Sequence, residues 1–328
     1  MFEAPDYDGN DENDFNSWND AERMAFHAYE LYEDGQMNLA LAQLQQAIGI
    51  NPANSAWYFN AGLTLDALEC FDEAIEAYKR ALEISPDDPE IINSLAVDYT
   101  RTGFYDLAIE TFEQIQVIDP SFEACYCNRI ITYTEMDQHE KAEEMFYLAQ
   151  QITPDCPICF YNIGNSLFSR RNYKKAVWCW QRTAMLEPSH PQINFRIAQA
   201  YWADGNRPLA RIHFLDELRQ NPGDKDVLLD FGIFMLEAGE KESATEKFNR
   251  IIELDPDFAP ALFYLGEMAL AKDDQTEAIH LFTRALKHDP DLPGPRFRLA
   301  QLAIAADREE GALRWLKTEC TLDITDKD

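Results

Sequence analysis

Five of the seven cysteines, Cys125, Cys127, Cys156, Cys159 and Cys179, fall in one stretch of 55 residues. Cys156-Pro157-Ile158-Cys159 has the C-x-x-C spacing that can bring two thiolates to one metal ion or join them to each other. Cys125 and Cys127, two apart on a helix, would point about 200° away from each other and could not serve one site. The expectation is therefore a set of small buried thiols that hold no metal. A redox-responsive pair at Cys156 and Cys159 is the alternative. An odd cysteine count in a chain with 46% apolar residues also fits reduced thiols better than a disulfide framework.

Little else suggests catalysis. The six histidines, His27, His139, His190, His213, His280 and His288, are scattered along the chain. It contains no phosphate-cradling glycine loop, no Gly-x-Ser-x-Gly and no His-Glu-x-x-His. With 59 acidic residues, any chosen carboxylate pair is uninformative. The expectation is no enzyme, no catalytic residue and no cofactor.

Charge narrows the partners. The net charge of −31 repels nucleic acid and anionic lipid and attracts basic partners. Residues 1–20 carry seven acids and no base, so an acidic disordered tail is expected there. Phe2, Tyr7, Phe15 and Trp18, interleaved with those acids, leave a docking segment as the alternative. No basic residue precedes Arg23, and no apolar run reaches the ~18–20 residues of a membrane span, so a cytoplasmic protein without membrane insertion is expected. One segment reverses the charge. Residues 157–190 hold Arg170, Arg171, Lys174, Lys175 and Arg182 against Glu187 alone, a basic patch suited to an acidic partner or to the tail itself.

The scaffold that must position these groups is periodic. Pro52, Pro86, Pro120, Pro154, Pro188, Pro222, Pro256 and Pro290 are spaced by 34 residues without slippage. With each proline at place 32, repeats begin at residues 21, 55, 89, 123, 157, 191, 225, 259 and 293 and run to about 326. Place 20 is Ala40, Ala74, Ala108, Ala142, Ala176, Ala210, Ala244, Ala278 and Ala312, which marks a close helix crossing. Place 8 is small except for Ile130. Place 24 is large and apolar, as at Tyr78, Phe112, Trp180 and Phe248. Apolar residues recur at helical spacing on both sides of a mid-repeat break marked by Gly35, Gly103, Gly205 and Gly239. Each repeat is therefore expected to be two antiparallel helices.

This pattern resembles the tetratricopeptide repeat family over residues 21–326. The resemblance implies an all-α, right-handed superhelical solenoid of about nine helix-turn-helix repeats, with first helices lining a concave groove. The ninth repeat, with Ile324 in place of its proline, would be a degenerate cap. His27 and Arg129 stand where a core aliphatic is usual. The resemblance also implies a scaffold or adaptor that binds an extended or amphipathic peptide of a protein partner in the groove. In peptide-binding relatives an asparagine at place 6 meets the ligand backbone, and here that place holds Asn60, Asn128 and Asn162. Tyr161, Asn165, Phe195, Arg196, Gln199 and Trp202 complete the expected peptide face. Only Asn162 and Arg196 match the family's clamp for chaperone tails; Cys127 and Gln192 stand where its lysines would. A structural protein that assembles with copies of itself is the alternative.

Overall fold

The structure, a computed structural model, describes residues 11–308, 310–313 and 315–317, and those residues form helices and turns with no strand. The chain divides into two compact units, Met1–Pro188 and Ser189–Asp328. The first holds α1 (Asp11–Glu33), α2 (Met37–Ile50), α3 (Ser55–Ala67), α4 (Phe71–Ile84), α5 (Pro89–Arg101), α6 (Tyr105–Ile118), α7 (Glu123–Glu135), α8 (His139–Ile152), α9 (Pro157–Ser169) and α10 (Tyr173–Leu186). The second holds α11 (Ile193–Ala203), α12 (Arg207–Gln220), α13 (Lys225–Glu237), α14 (Lys241–Leu254), α15 (Ala259–Ala271), α16 (Gln275–His288) and α17 (Pro295–Ala305). Residues 310–313 and 315–317 are also helical. No helix among the described residues is long and apolar enough to cross a membrane.

Local chemistry sets these boundaries. Asp88 accepts from Glu90 N at 3.0 Å with Pro89 in the first turn of α5, and Asp224 accepts from Asp226 N and Val227 N at 3.1 Å ahead of α13. Each cap satisfies backbone donors that the helix itself cannot pair. α1 starts at Asp11, so helix occupies the second half of the segment expected to be a disordered tail. Further along, the inner face of α1 buries Ala21 and Ala28. Residues 1–10, with Phe2 and Tyr7, lie outside the described residues.

The turn inside each hairpin is more uniform than its sequence. Place 15 adopts positive φ in all nine repeats: glycine at Gly35, Gly103, Gly205 and Gly239, but Glu69, Asp137, Arg171, Asp273 and Asp307 at φ of 55° to 62°. Non-glycine residues resist this conformation. They adopt it because two hydrogen bonds close each turn, as in Arg171 N to Phe168 O and Asn172 N to Leu167 O, both 2.8 Å.

Packing follows the small-against-large pattern. The alanines at place 20 are buried in every repeat. A Cβ built at Gly164 would stand 2.5 Å from Trp180 Nε1, and one at Gly232 or Gly266 would stand 2.5 Å from the rings of Phe248 or Phe282. Each ring thus lies directly on the backbone of the facing helix, and burying it contributes about 1.5–3 kcal/mol. The exception at place 8 has a consequence. Ile130 is wholly buried and fills the notch, and Phe146 opposite it is left half-buried. Phe146 turns instead toward Phe160, with ring centroids 5.4 Å apart. Arg129, in place of an aliphatic, is buried but tied to Gln116 Oε1 at 3.1 Å and Tyr133 Oη at 3.4 Å.

Candidate functional site

The first helices carry the polar residues expected to read a peptide, and the structure gives most of them another task. Asn162 is only 5% exposed, and its Nδ2 donates to the Cys127 carbonyl on α7 at 3.0 Å. Asn128 Nδ2 donates to Asn93 Oδ1 on α5 at 3.0 Å. In the second unit Gln199 Nε2 donates to Asp230 Oδ2 at 2.8 Å, Trp202 Nε1 to Glu237 Oε2 at 2.8 Å, and Arg298 pairs with Glu267. These side chains tie one first helix to the next. Asn162, expected on the peptide face, is corrected: its amide reaches the neighbouring first helix and adds a second hydrogen bond to a carbonyl in the middle of α7. Phe195 is corrected likewise. It is 6% exposed and packs on Phe214 at 6.2 Å, so it belongs to the core and not to a groove wall.

The remaining expected residues divide. Tyr161 and Asn165 are half-buried, and the Tyr161 carbonyl accepts from Trp180 Nε1 at 3.2 Å. Arg196 is half-buried and donates to Gln199 Oε1 at 3.4 Å. Trp202 is half-buried against Phe214 and Phe234. Tyr161, Asn162 and Asn165 stand on α9 of the first unit; Phe195, Arg196, Gln199 and Trp202 stand on α11 of the second.

Asn60 differs from the other asparagines of its place. It is exposed and its side chain makes no hydrogen bond among the described residues. It borders a cavity of about 130 Å³ between α1 and α3, lined by Ala25, Ala28, Tyr29, Tyr32, Leu44 and Leu63 among others. The lining is mostly apolar, and Tyr29, Tyr32, Glu33 and Thr64 add polar atoms to it. Sequence reasoning named Asn60 but missed Tyr29 and Tyr32, whose places 9 and 12 put them one helical turn apart.

The basic patch is partly neutralised. Arg170 pairs with Glu143 and Arg182 with Asp155. Arg171, Lys174 and Lys175 are exposed. Lys175 borders a cavity of about 320 Å³ between the second helices α8 and α10, walled by Phe146, Tyr147 and Trp178 among others.

The thiols converge where sequence reasoning expected them to diverge. Cys125 does point away, donating to the Phe112 carbonyl at 3.3 Å. Cys127 faces the start of α9, where it is bonded to Cys159 in a disulfide with Cα atoms 5.2 Å apart. The expectation of reduced thiols is corrected by this bond, and the alternative pairing within C-x-x-C, between Cys156 and Cys159, is not the one formed. Cys156 Sγ lies 3.9 Å from Cys127 Sγ and accepts from Cys159 N at 3.3 Å. Glu123 Oε1 lies 3.4 Å from Cys127 Sγ and 3.7 Å from Cys159 Sγ. The repeat register held this signal: Glu123 and Cys127 are at places 1 and 5, Cys159 at place 3 of the next repeat, and Cys156 immediately before it.

A buried carboxylate stands elsewhere on the first-helix stack. Asp98 is 1% exposed, pairs with Arg101 at 3.2 Å, and leaves Oδ2 without a partner. Burial first, and then the neighbouring Asp66 carboxylate, push Asp98 up to about 7.

Comparison with known proteins agrees with this geometry. Family models described as tetratricopeptide repeat match residues 27–89, 235–293 and 269–318. A model described as YpiA-like, C-terminal tetratricopeptide repeats, matches residues 191–257. The chain belongs to the tetratricopeptide repeat family. No curated protein matches it. Among solved structures, a tetratricopeptide repeat protein from Parabacteroides merdae is similar with a TM-score of 0.59 at 18% identity, over 72% of this chain and 94% of that one. The Thermus thermophilus protein TTC0263 is similar with a TM-score of 0.51 at 22% identity, over 56% of this chain and 99% of that one. The human IFIT1 dimer with PPP-AAAA is similar with a TM-score of 0.55 at 15% identity, over 90% of this chain and 82% of that one. At these identities the likeness is one of fold.

Tetratricopeptide repeats are a protein-interaction scaffold in general, and a fold that is typically non-catalytic. The face expected to meet a ligand is that of the first helices. Here that face is largely closed by its own hydrogen bonds, and the α1–α3 cavity with Asn60 is where an apolar recess and a free amide meet.

Proposed function

We propose that this tetratricopeptide repeat protein is a non-catalytic cytoplasmic adaptor that binds an extended or amphipathic peptide segment of a protein partner on its first-helix face. The observation that carries this reading is the α1–α3 cavity with Asn60 unpartnered at its rim. An apolar side chain of the peptide enters between Tyr29, Tyr32 and Leu63. The Asn60 amide, donor and acceptor at once, meets the peptide backbone whatever its sequence. The net charge of −31 favours a basic segment and opposes a ligand of the PPP-AAAA kind. Affinity is modest, because an open groove must order a flexible ligand.

Panning random linear peptides against the whole chain and titrating those enriched by calorimetry tests this. Asn60→Ala should weaken them by about 0.5–1.5 kcal/mol, the net value of one hydrogen bond, and Tyr29→Ala should weaken them further. Peptides that bind both variants as tightly as the wild type would put the site elsewhere. Self-assembly is the second reading, favoured by exposed apolar residues on second helices: Val117 at 84%, Met185 at 74% and Trp178 at 59%. Light scattering across a concentration series decides it. A constant monomer mass removes that reading, and a dimer lost in Trp178→Glu supports it.

A further inference from the structure

We propose that Glu123, Cys127, Cys156 and Cys159 form a tetrahedral site for a thiophilic divalent cation, Zn²⁺ foremost, which the chain holds when its Cys127–Cys159 disulfide is reduced. One atom from each of the four residues lies within 4.8 Å of all the others, and the three cysteines are buried. Zn–S bonds of about 2.3 Å and Zn–O bonds of about 2.0–2.2 Å set tetrahedral edges of about 3.8 Å between sulfurs and about 3.6 Å between sulfur and oxygen. The edge from Cys127 to Cys156 is 3.9 Å, and those from Glu123 to Cys127 and Cys159 are 3.4 and 3.7 Å. Three edges thus already have the dimensions of a zinc site. The Cys127–Cys159 edge is closed by the covalent bond.

Cys125, whose opposed direction spoke against a metal in the sequence, is not part of this site. The set comes from two first helices. Glu123 and Cys127 are four apart on α7 and share one face. Cys156 and Cys159 bracket the first turn of α9, where Cys159 N donates to Cys156 Sγ. Backbone donors of that kind stabilise a thiolate. Three buried thiols crowded beside a half-buried carboxylate are costly as free anions and favourable as ligands.

The disulfide and the metal exclude each other. A dithiol reductant gives two electrons and two protons to the Cys127–Cys159 disulfide and leaves as its own disulfide. Cys127, Cys156 and Cys159 then release their protons to solvent as three Zn–S bonds form, and the Glu123 carboxylate supplies the fourth bond. Soft thiolates select zinc over magnesium or calcium.

The full-length chain, expressed in zinc-supplemented medium and purified under dithiothreitol without chelator, tests this by elemental analysis. About one zinc per chain is expected, absent after disulfide formation by a mild oxidant. Cys156→Ser and Cys159→Ser should lose it, while Cys125→Ser and Cys70→Ser should keep it. Should a variant misfold, cobalt titration of stripped wild type gives an independent reading. The near-ultraviolet thiolate-to-cobalt band should have the intensity of three thiolates. Glu123→Gln should keep that band and lose at least the roughly tenfold in affinity that even an outer-shell defect costs. Reduced wild type that carries no zinc and develops no cobalt band would overturn the proposal. So would zinc that survives in Cys156→Ser and Cys159→Ser alike.

Discussion

Gly164→Ala puts the ring-on-backbone packing to a direct test. The added methyl would stand 2.5 Å from Trp180 Nε1 and 2.7 Å from Cδ1, far inside van der Waals contact. Trp180 is 1% exposed and has nowhere to retreat. Overpacking of this kind costs about 1–3 kcal/mol. Moving the indole also breaks its 3.2 Å hydrogen bond to the Tyr161 carbonyl, a loss of about 1 kcal/mol. Against this, alanine is the better helix former by about 1 kcal/mol. The net expectation is destabilisation by about 1–3 kcal/mol. Gly49→Ala on α2 is the matched control, since nothing lies within 4 Å of its new Cβ. It should leave stability unchanged or raise it by up to ~1 kcal/mol. Urea unfolding followed by circular dichroism gives the difference between two chemically identical substitutions. Hydrogen exchange in peptides covering 157–186 localises it to the repeat concerned. If Gly164→Ala unfolds with the wild type and exchange there is unchanged, Trp180 does not depend on glycine, and the ring does not rest on the backbone as described.

Asn162→Ala should destabilise the chain by about 0.5–1.5 kcal/mol, because it removes the buried hydrogen bond from α9 to the Cys127 carbonyl of α7; a urea midpoint equal to wild type would return Asn162 to the candidate ligand face. Asp98 should make stability pH-dependent. Its carboxyl is raised from 3.8 to about 7 in the folded chain, so the folded state keeps a proton that the unfolded state releases. That contribution is complete below about pH 4 and is lost as pH rises toward and through 7, at about 1.4 kcal/mol for each pH unit between those limits. Asp98→Asn should therefore melt higher than wild type at pH 8 and lose the decline between pH 4 and 7. Parallel melting curves across that range for both proteins would show that Asp98 ionises normally.

Features that recur in every repeat were readable in the sequence, and features that depend on a neighbouring helix were not. Alanine at place 20 and a large apolar residue at place 24 announced the crossings, since the first admits no bulky side chain and the second no polar one. The exception at place 8 was visible too, as Ile130, but not that Phe146 would be the residue left half-buried by it. The turns were only half legible. Glycine marked four of them, but Glu69, Asp137, Arg171, Asp273 and Asp307 take the same left-handed backbone. A turn closed by two hydrogen bonds overrides residue preference. The peptide face was misjudged for a similar reason. Solvation of a helix face and hydrogen bonding to the next helix both call for polar residues at the same spacing. The thiols were misjudged by weighing Cys125 with Cys127 on one helix, when the decisive neighbours lay one repeat on.

The asparagines at place 6 show why one of them stays free. A side chain at place 6 is close enough to bond the adjacent first helix wherever that helix offers an acceptor. Asn93 offers one to Asn128, the Cys127 carbonyl offers one to Asn162, and Glu267 offers two oxygens to Arg298. The helix preceding Asn60 presents Ala25, Ala28 and Tyr29 around the cavity, and none of them bonds its amide. Polar satisfaction inside the array and recognition of a ligand therefore compete for the same residues. A first helix can read a peptide only where its neighbour leaves its polar groups unanswered. In the first unit that condition is met at Asn60, beside a first-helix recess edged by tyrosines, so the amide and the apolar recess are available to one ligand together.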